Sequence, residues 1–325
     1  MNRPDRVTPS RRRILVGSAG LAGLGGLAVF RACAAVRGLQ LRTRAGLAFG
    51  TTVALTAAGP DAAVVEAALS DGFAALRAVE DAASLFRPDS ALARLNRDGV
   101  LTAPDPHLVL LLRFALALAA ETGGAFDPTV QPLWPVWAGA AARGGSPGAD
   151  SLRSARARIG WRRVHLEPDR IVLEPGTALT LNALIQGYAA DRVMAALRER
   201  GIADAFVDTG EFGASGAHPD GTPWRLGLAD SRDPAALAAV IAPFTGFAAT
   251  SGDYNMSFSE DRADHHIFDP VTGRSPRTLA SVTVTAPAGL VADGLSTACM
   301  VLGRSRGAAL VAAHPGCAAR FTNKG

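Results

Sequence analysis

Lysine is nearly missing from this chain: Lys324 is the only one in 325 residues. None can therefore reach a phosphate from the usual helix-start position. Cysteine is scarce too. Three residues, Cys33, Cys299 and Cys317, exclude a disulfide-stapled mini-scaffold and a cysteine-rich zinc module. No repeat in the range of about 20–50 residues is visible, which argues against solenoids and propellers. No Gly-x-Gly-x-x-Gly follows a strand, so a Rossmann domain is disfavoured. Beyond the first 34 residues no apolar run reaches spanning length; Leu108–Ala120 is short and broken by Arg113. What is present is a core: 48% hydrophobic residues, 19% charged residues and a mean hydropathy of +0.18 exclude global disorder.

The net charge of +4 belongs to one end. Residues 1–34 hold Arg3, Arg6, Arg11, Arg12, Arg13 and Arg31 against Asp5 alone. Without them 27 basic and 28 acidic residues remain, a net of −1. Nucleic-acid binding therefore has no basic stripe to support it. The leader continues from the arginines into Ile14–Phe30, 17 residues of which five are glycine, and then Ala32-Cys33-Ala34. That order is a signal-peptide pattern, and the paired arginines resemble a twin-arginine signal. The expectation is export, with the body at residues 35–325 in the periplasm or on the outer face of the cytoplasmic membrane. The alternative is a retained anchor, which would be the only membrane contact. Phe30-Arg31 does not suit a lipobox ahead of Cys33. Cys299 lies in an apolar stretch and reads as a buried thiol, although a Cys299–Cys317 bridge is compatible with export.

The body reads as α+β with a mixed, largely antiparallel sheet flanked by helices. Leu47–Ala57 reads as a strand. Asp61 to about Ala83 reads as a helix, since Val64, Val65, Ala68, Leu69, Phe73, Leu76 and Val79 recur at three- and four-residue steps. Asp105–Glu121 reads as a second helix, buried nearly all round, with Pro106 at its start and Gly123 beyond its end. Short strands are expected at 163–166, 170–174 and 178–181, then a helix from Leu184 to Arg200 closed by Gly201. Strands follow near 204–209, 223–229, 246–250, 265–268 and 281–286, and helices near 290–302 and 305–313.

Polar strings interrupt this pattern. Phe49-Gly50-Thr51-Thr52 combines a glycine that permits close ligand approach with two hydroxyls. Phe86 precedes Arg87-Pro88-Asp89-Ser90, a turn and helix-cap signal. Thr122-Gly123-Gly124-Ala125-Phe126-Asp127-Pro128-Thr129 offers backbone amides, an aromatic ring and a carboxylate. Ala183 to Asp191 feeds a helix N-terminus, where free N–H groups favour anions. His265 and His266 precede Ile267-Phe268-Asp269-Pro270; a packed strand histidine is the plain alternative for each. Asp293, Ser296 and Thr297, spaced 0, +3 and +4, share one side of a helix. Carboxylate plus hydroxyl suits Mg2+ better than Zn2+, with an N-cap as the alternative for Asp293.

Seven strings, in chain order and including several of these, resemble the ApbE-like family of FAD:protein FMN transferases. They are Gly-Thr-Thr at 50–52, Phe-Arg-Pro-Asp-Ser at 86–90, Thr-Gly-Gly-Ala-Phe-Asp-Pro-Thr at 122–129, Gln-Gly-Tyr-Ala-Ala-Asp at 186–191, Pro-Asp-Gly-Thr-Pro-Trp at 219–224, Thr-Ser-Gly-Asp-Tyr at 250–254, and His-Ile-Phe-Asp-Pro-Val-Thr-Gly at 266–273. The resemblance implies a single domain with a T-fold-like sheet and an exported, Mg2+-dependent enzyme. That enzyme would split FAD, attach FMN to a Thr or Ser hydroxyl of an acceptor flavoprotein, and release AMP. By matching position, Phe49, Gly50, Thr51, Phe86, Ala125, Phe126, Asp127, Thr180, Gln186 and Ile267 would line the FAD site. Asp293 and Thr297 would hold the metal with the main-chain oxygen of Ala183, and Ser296 stands beside them where many relatives carry a further Asp. His266 would be the base.

Departures from the family pattern accompany the match. Phe49 replaces the usual Met, Thr180 a frequent Asp, and Gln186 a common Lys or Glu. Glu211 stands where a second glycine is usual. The Gln-Gly-Tyr and Thr-Gly-Glu strings look like the branch associated with nitrous-oxide-reductase maturation. The chain also stops at Lys324-Gly325, earlier than many relatives, so a final strand is expected to be shortened or missing. The altered positions keep two other readings open: an FAD pyrophosphatase that uses water as acceptor, and a non-catalytic flavin-binding or supply module.

Overall fold

A computed structural model describes residues 38–233 and 235–324. The leader at 1–34 lies outside the described residues. Twelve strands are described: β1 (Gln40–Ala48), β2 (Thr51–Gly59), β3 (Val100–Thr102), β4 (Val164–Leu166), β5 (Arg170–Leu173), β6 (Asp204–Asp208), β7 (Phe212–Ser215), β8 (Leu226–Ala229), β9 (Leu237–Ile241), β10 (Gly246–Gly252), β11 (Leu279–Ala286) and β12 (Ala318–Asn323). The helices are α1 (Ala62–Ala83), α2 (Ala91–Asp98), α3 (Pro106–Glu121), α4 (Leu133–Ala141), α5 (Ala149–Arg156), α6 (Ile185–Glu199) and α7 (Gly289–Ala312).

The strand expected at Leu47–Ala57 is a hairpin. β1 and β2 pair through a two-residue turn at Phe49 and Gly50, whose φ angles are 52° and 75°. Two left-handed residues in succession match the right-handed twist of the flanking strands. Phenylalanine is unusual there. Its N–H donates to Glu80 Oε1 at 2.7 Å and its ring is buried, which holds the turn.

Seven strands form the main sheet in the order β1-β2-β6-β7-β10-β11-β12, with every neighbouring pair antiparallel. Period-two alternation assigns its faces. Ala205 and Val207 of β6, with Phe247 and Ala249 of β10, enter the large core under α1, α6 and α7. Phe206 and Ala248 point the other way, into a smaller cluster with Trp224, Leu226 and Phe244, which the β8–β9 hairpin covers. A third cluster joins Leu133, Trp137, Leu152 and Phe268. The short β3-β5-β4 sheet is separate from the main one. Among the described residues no helix is long and apolar enough to cross a membrane.

Several sequence expectations needed correction. The segment 178–181 is extended but joins no ladder. Asn96 supplies its partners instead, donating to the Leu179 carbonyl at 2.8 Å and accepting from the Leu179 N–H at 2.7 Å. The segment 265–268 forms no strand either; only His265 makes a bridge, to Ser257. Within 223–229 the strand is limited to Leu226–Ala229. α3 is not buried all round, because Leu110 is 43% exposed. The two helices expected near 290–302 and 305–313 are the halves of α7, broken at Gly303 with φ 76° and ψ 173°. A last strand is present: β12 pairs with β11 from Asn323 to Ala318. Helices α4 and α5 were not anticipated; α2 follows the helix-cap signal at 89–90, where Ser90 accepts from the Ala93 N–H at 3.0 Å.

Candidate functional site

Helices α6 and α7 meet backbone to backbone. A Cβ on Gly187 would collide with the Gly289 carbonyl, and one on Gly289 with the Gly187 carbonyl. Asp191 of α6 fastens the crossing by accepting from the Gly289 and Leu290 N–H groups at 2.7 and 2.9 Å. Burial pushes its carboxyl above the ordinary range, and these two bonds oppose that. Asp191 therefore caps α7, and the N-cap alternative for Asp293 falls: Asp293 is the fifth residue of the helix.

Asp293 is buried and faces α6, accepting the Gly187 N–H on Oδ2 at 2.9 Å. Gly187 sits in the first turn of α6, where N–H groups have no intrahelical acceptor, so Asp293 caps α6 as Asp191 caps α7. The Ala183 carbonyl, four residues before Gly187 and just ahead of the helix, is the main-chain donor that the family resemblance singles out. One turn along α7, Ser296 Oγ donates to the Asp293 carbonyl at 2.8 Å. Ser251, at the end of β10, lies 2.8 Å from both Ser296 Oγ and Thr297 Oγ1. A carboxylate, a main-chain carbonyl and clustered hydroxyls are hard oxygen donors, the kind a Mg2+ ion takes. Among the described residues no three His, Cys, Asp or Glu side chains gather into a metal cluster, and a cation held here would have to draw on that mixed set.

Gln186 leads from this nest to the β6–β7 turn. Its amide fills the space a Cβ on Gly210 would need, and its carbonyl accepts from Thr209 Oγ1 at 2.8 Å. Gly210, at φ 97°, donates its N–H to Asp208 Oδ1 at 2.9 Å. Glu211 is 5% exposed and accepts the Thr250 N–H on Oε2 at 2.9 Å, so the residue that replaces a glycine is tied to the strand carrying Ser251.

The proposed flavin-lining residues divide by burial. Phe49, Phe126 and Ile267 belong to the large core and can shape a wall from behind. Phe86 is 63% exposed, and a Cβ on Gly50 would sit 3.6 Å from its ring. One face of that ring rests on the β1–β2 turn. Thr51, Ala125, Thr180 and Gln186 are partly exposed. Asp127 is turned inward: it accepts from the Thr129 N–H at 2.8 Å, Thr129 Oγ1 at 2.6 Å and the Trp161 N–H at 2.9 Å. Burial raises its carboxyl above the usual range against the pull of those donors. Asp127 thus holds the loop in shape. Thr180 donates its N–H to the Pro128 carbonyl at 2.8 Å, which joins that loop to the lead-in of α6.

The two histidines differ. His265 is fully buried. Its Nε2–H donates to the Pro276 carbonyl at 3.1 Å, and Nδ1 accepts from the Ile267 N–H. Burial pushes its pKa down to about 4. His266 is partly exposed, and its Nδ1 lies 3.1 Å from the Met256 carbonyl. A carbonyl only accepts, so Nδ1 carries the proton and the lone pair of the neutral ring is on Nε2.

Glu80 was not singled out from the sequence, and Ser251 stood there only as part of the 250–254 string. Ser251 was legible: it continues the 247, 249, 251 alternation that points toward α7. Asn96 and Glu80 carry no local signal, because their partners lie 83 and 31 residues away.

A model of the ApbE family matches residues 49–321. An FAD:protein FMN transferase of Treponema pallidum is 34% identical over 283 residues, 80% of this chain and 78% of its own length. An enzyme of the same description from Vibrio cholerae is 34% identical over 251 residues, 74% of each. The crystal structure of a flavinyl transferase ApbE from Pseudomonas stutzeri, in its apo form, superposes with a TM-score of 0.73 at 31% identity. The match covers 88% of this chain and 92% of that one.

Proposed function

The chain belongs to the ApbE family, and from that premise we propose that it moves the FMN half of FAD onto a Thr or Ser hydroxyl of an acceptor protein, releasing AMP. The observation that carries this reading is the buried Asp293 carboxylate, bonded to the Gly187 N–H at the start of α6 and set one helical turn from the Ser251–Ser296–Thr297 hydroxyl cluster. Ala183, Asp293 and Thr297 would hold Mg2+, with Ser251 and Ser296 orienting the Thr297 hydroxyl and the Asp293 turn. Bound there, Mg2+ would offset negative charge on the pyrophosphate and on the departing AMP.

The remaining chemistry falls to the chain's own groups. An exposed Phe86 ring and the Gly50 turn support a flat isoalloxazine, with the 122–129 loop and Gln186 completing the wall. A hydroxyl is a weak nucleophile until a base removes its proton. His266 Nε2 takes that proton while Met256 holds the ring through Nδ1. The hydroxyl oxygen then bonds to the FMN phosphorus, the phosphorus–oxygen bond to AMP breaks, and AMP departs with the bridging oxygen. The basic, apolar leader supports export, so the acceptor is read as an exported or membrane flavoprotein, with the enzyme in the periplasm or on the outer face of the cytoplasmic membrane.

Incubation of the protein with FAD, Mg2+ and an acceptor domain carrying a Thr in a Ser-Gly-Ala-Thr-like context tests this. Mass analysis is expected to find FMN on the acceptor. AMP beside an unmodified acceptor would favour a pyrophosphatase. Bound FAD with neither product would favour a binding module.

A further inference from the structure

The chain's only lysine sits just beyond β12, where its N–H donates to the Thr278 carbonyl at 3.1 Å. Its ammonium lies 3.1 Å from Asp253 Oδ2 and also donates to the Arg262 carbonyl. These two partners belong to one loop. Asp253 opens it directly after β10, anchored by its N–H to the Ala280 carbonyl at 2.9 Å. Arg262 lies near its tip, in the left-handed region at φ 56°. The neck is closed by the Phe258 N–H on the Asp264 carbonyl at 2.7 Å and by the Ser257–His265 bridge. His266 hangs from that neck, with its N–H and Nδ1 both 3.1 Å from the Met256 carbonyl.

We propose that Lys324 is a positioning residue for His266: its ammonium binds the start of the 253–266 loop to its tip, and so fixes the Met256 carbonyl that orients the ring. The inference rests on the reading of His266 as the base. A single ammonium suits the task because its three donors can serve a carboxylate and a carbonyl together. The pair is not an ordinary surface contact, since the Asp253 side chain is 2% exposed and the other oxygen, Oδ1, is buried with no hydrogen-bond partner among the described residues. Exposed pairs contribute little, but removing one member of a buried pair strands the other's charge. Burial pushes the Asp253 carboxyl up; Lys324 opposes this most strongly, and the field of His266 acts in the same sense, which places the ring within electrostatic reach.

The test uses the full chain with FAD, Mg2+ and the acceptor domain above. Lys324→Met is expected to lower kcat for transfer about tenfold while KM for FAD stays within about twofold. Trypsin is expected to nick that variant after Arg262 several-fold faster than the parent protein. Lys324→Arg, which keeps a cation with several donors, is expected to retain most of the rate. If Lys324→Met folds poorly, Lys324→Met with Asp253→Asn removes both charges. It is expected to recover stability yet keep the low kcat and the fast nick, because the Arg262 carbonyl remains unheld. Parental kcat and parental nicking in either Met variant would overturn the proposal. A parent protein that makes no flavinylated acceptor would instead sink the transferase reading, and the nicking rates would still report whether Lys324 holds the loop.

Discussion

Asp293 and His266 are held by scaffolds of different kinds. Asp293 lies on α7, where Gly187 and Gly289 bring two helices into backbone contact and Asp191 caps one from the other. His266 lies on a loop whose shape depends on side chain–backbone bonds from Ser257, Ser275 and Lys324. The first arrangement leaves little freedom, as the proposed metal donors would require to meet a small cation at fixed distances. The second can give, as the proposed base would require to meet a hydroxyl delivered by another protein. The difference predicts different signatures of damage: on the helix side metal binding and stability fail together, and on the loop side the transfer rate falls while FAD binding stays.

The comparison can be broken most sharply at Asp293. Asp293→Ala is expected to cut Mg2+-dependent transfer on the order of a thousandfold and to abolish any rise in Tm on adding Mg2+. A preserved Mg2+ shift would remove Asp293 from the metal site. Next in size, His266→Ala should slow transfer about a hundredfold or more with FAD affinity nearly intact. Equal loss of both would mean that the ring only packs, and the distinction between the regions would collapse. Phe86→Ala probes an exposed ring, so about tenfold weaker FAD binding is expected with a stability change under about 0.5 kcal/mol. Gly187→Ala does the reverse, costing about 1–3 kcal/mol of stability by forcing α6 and α7 apart, and weakening Mg2+ binding with it.

The smallest effect concerns pH. His265 is held near pKa 4 in the fold against an ordinary 6.5, so the unfolded chain binds more protons between those values. The stability associated with neutral His265 is complete above pH 6.5 and is lost as pH falls toward 4. Chemical denaturation of His265→Gln should show a flatter profile across that window. An unchanged slope would mean that the buried ring is not what the acid side senses.

Much of this was legible in the sequence because it is local. The apolar steps of α1 and the spacing of Asp293, Ser296 and Thr297 are set within a few residues, and period or spacing reveals them. The hairpin at Phe49-Gly50 was misread as one strand, because phenylalanine at positive φ obeys a tertiary contact with Glu80 and not its own preference. The extended segment 178–181 looked like a strand because it is apolar; Asn96 satisfies its backbone from another element. The Ala183 carbonyl could be assigned from family resemblance, but the Gly187–Asp293 bond beside it exists only once α6 and α7 cross. Lys324 was noticed as a singular residue, while its partners Asp253 and Arg262 lie 71 and 62 positions away in the chain and leave no pattern to find.

The account is tested most directly by the ratio of AMP released to acceptor flavinylated, followed as acceptor concentration is raised at fixed FAD and Mg2+. Transfer by the groups described predicts one AMP for each flavinylated hydroxyl at every concentration, and no AMP without acceptor. AMP that accumulates without acceptor, at a rate the acceptor does not change, would contradict it.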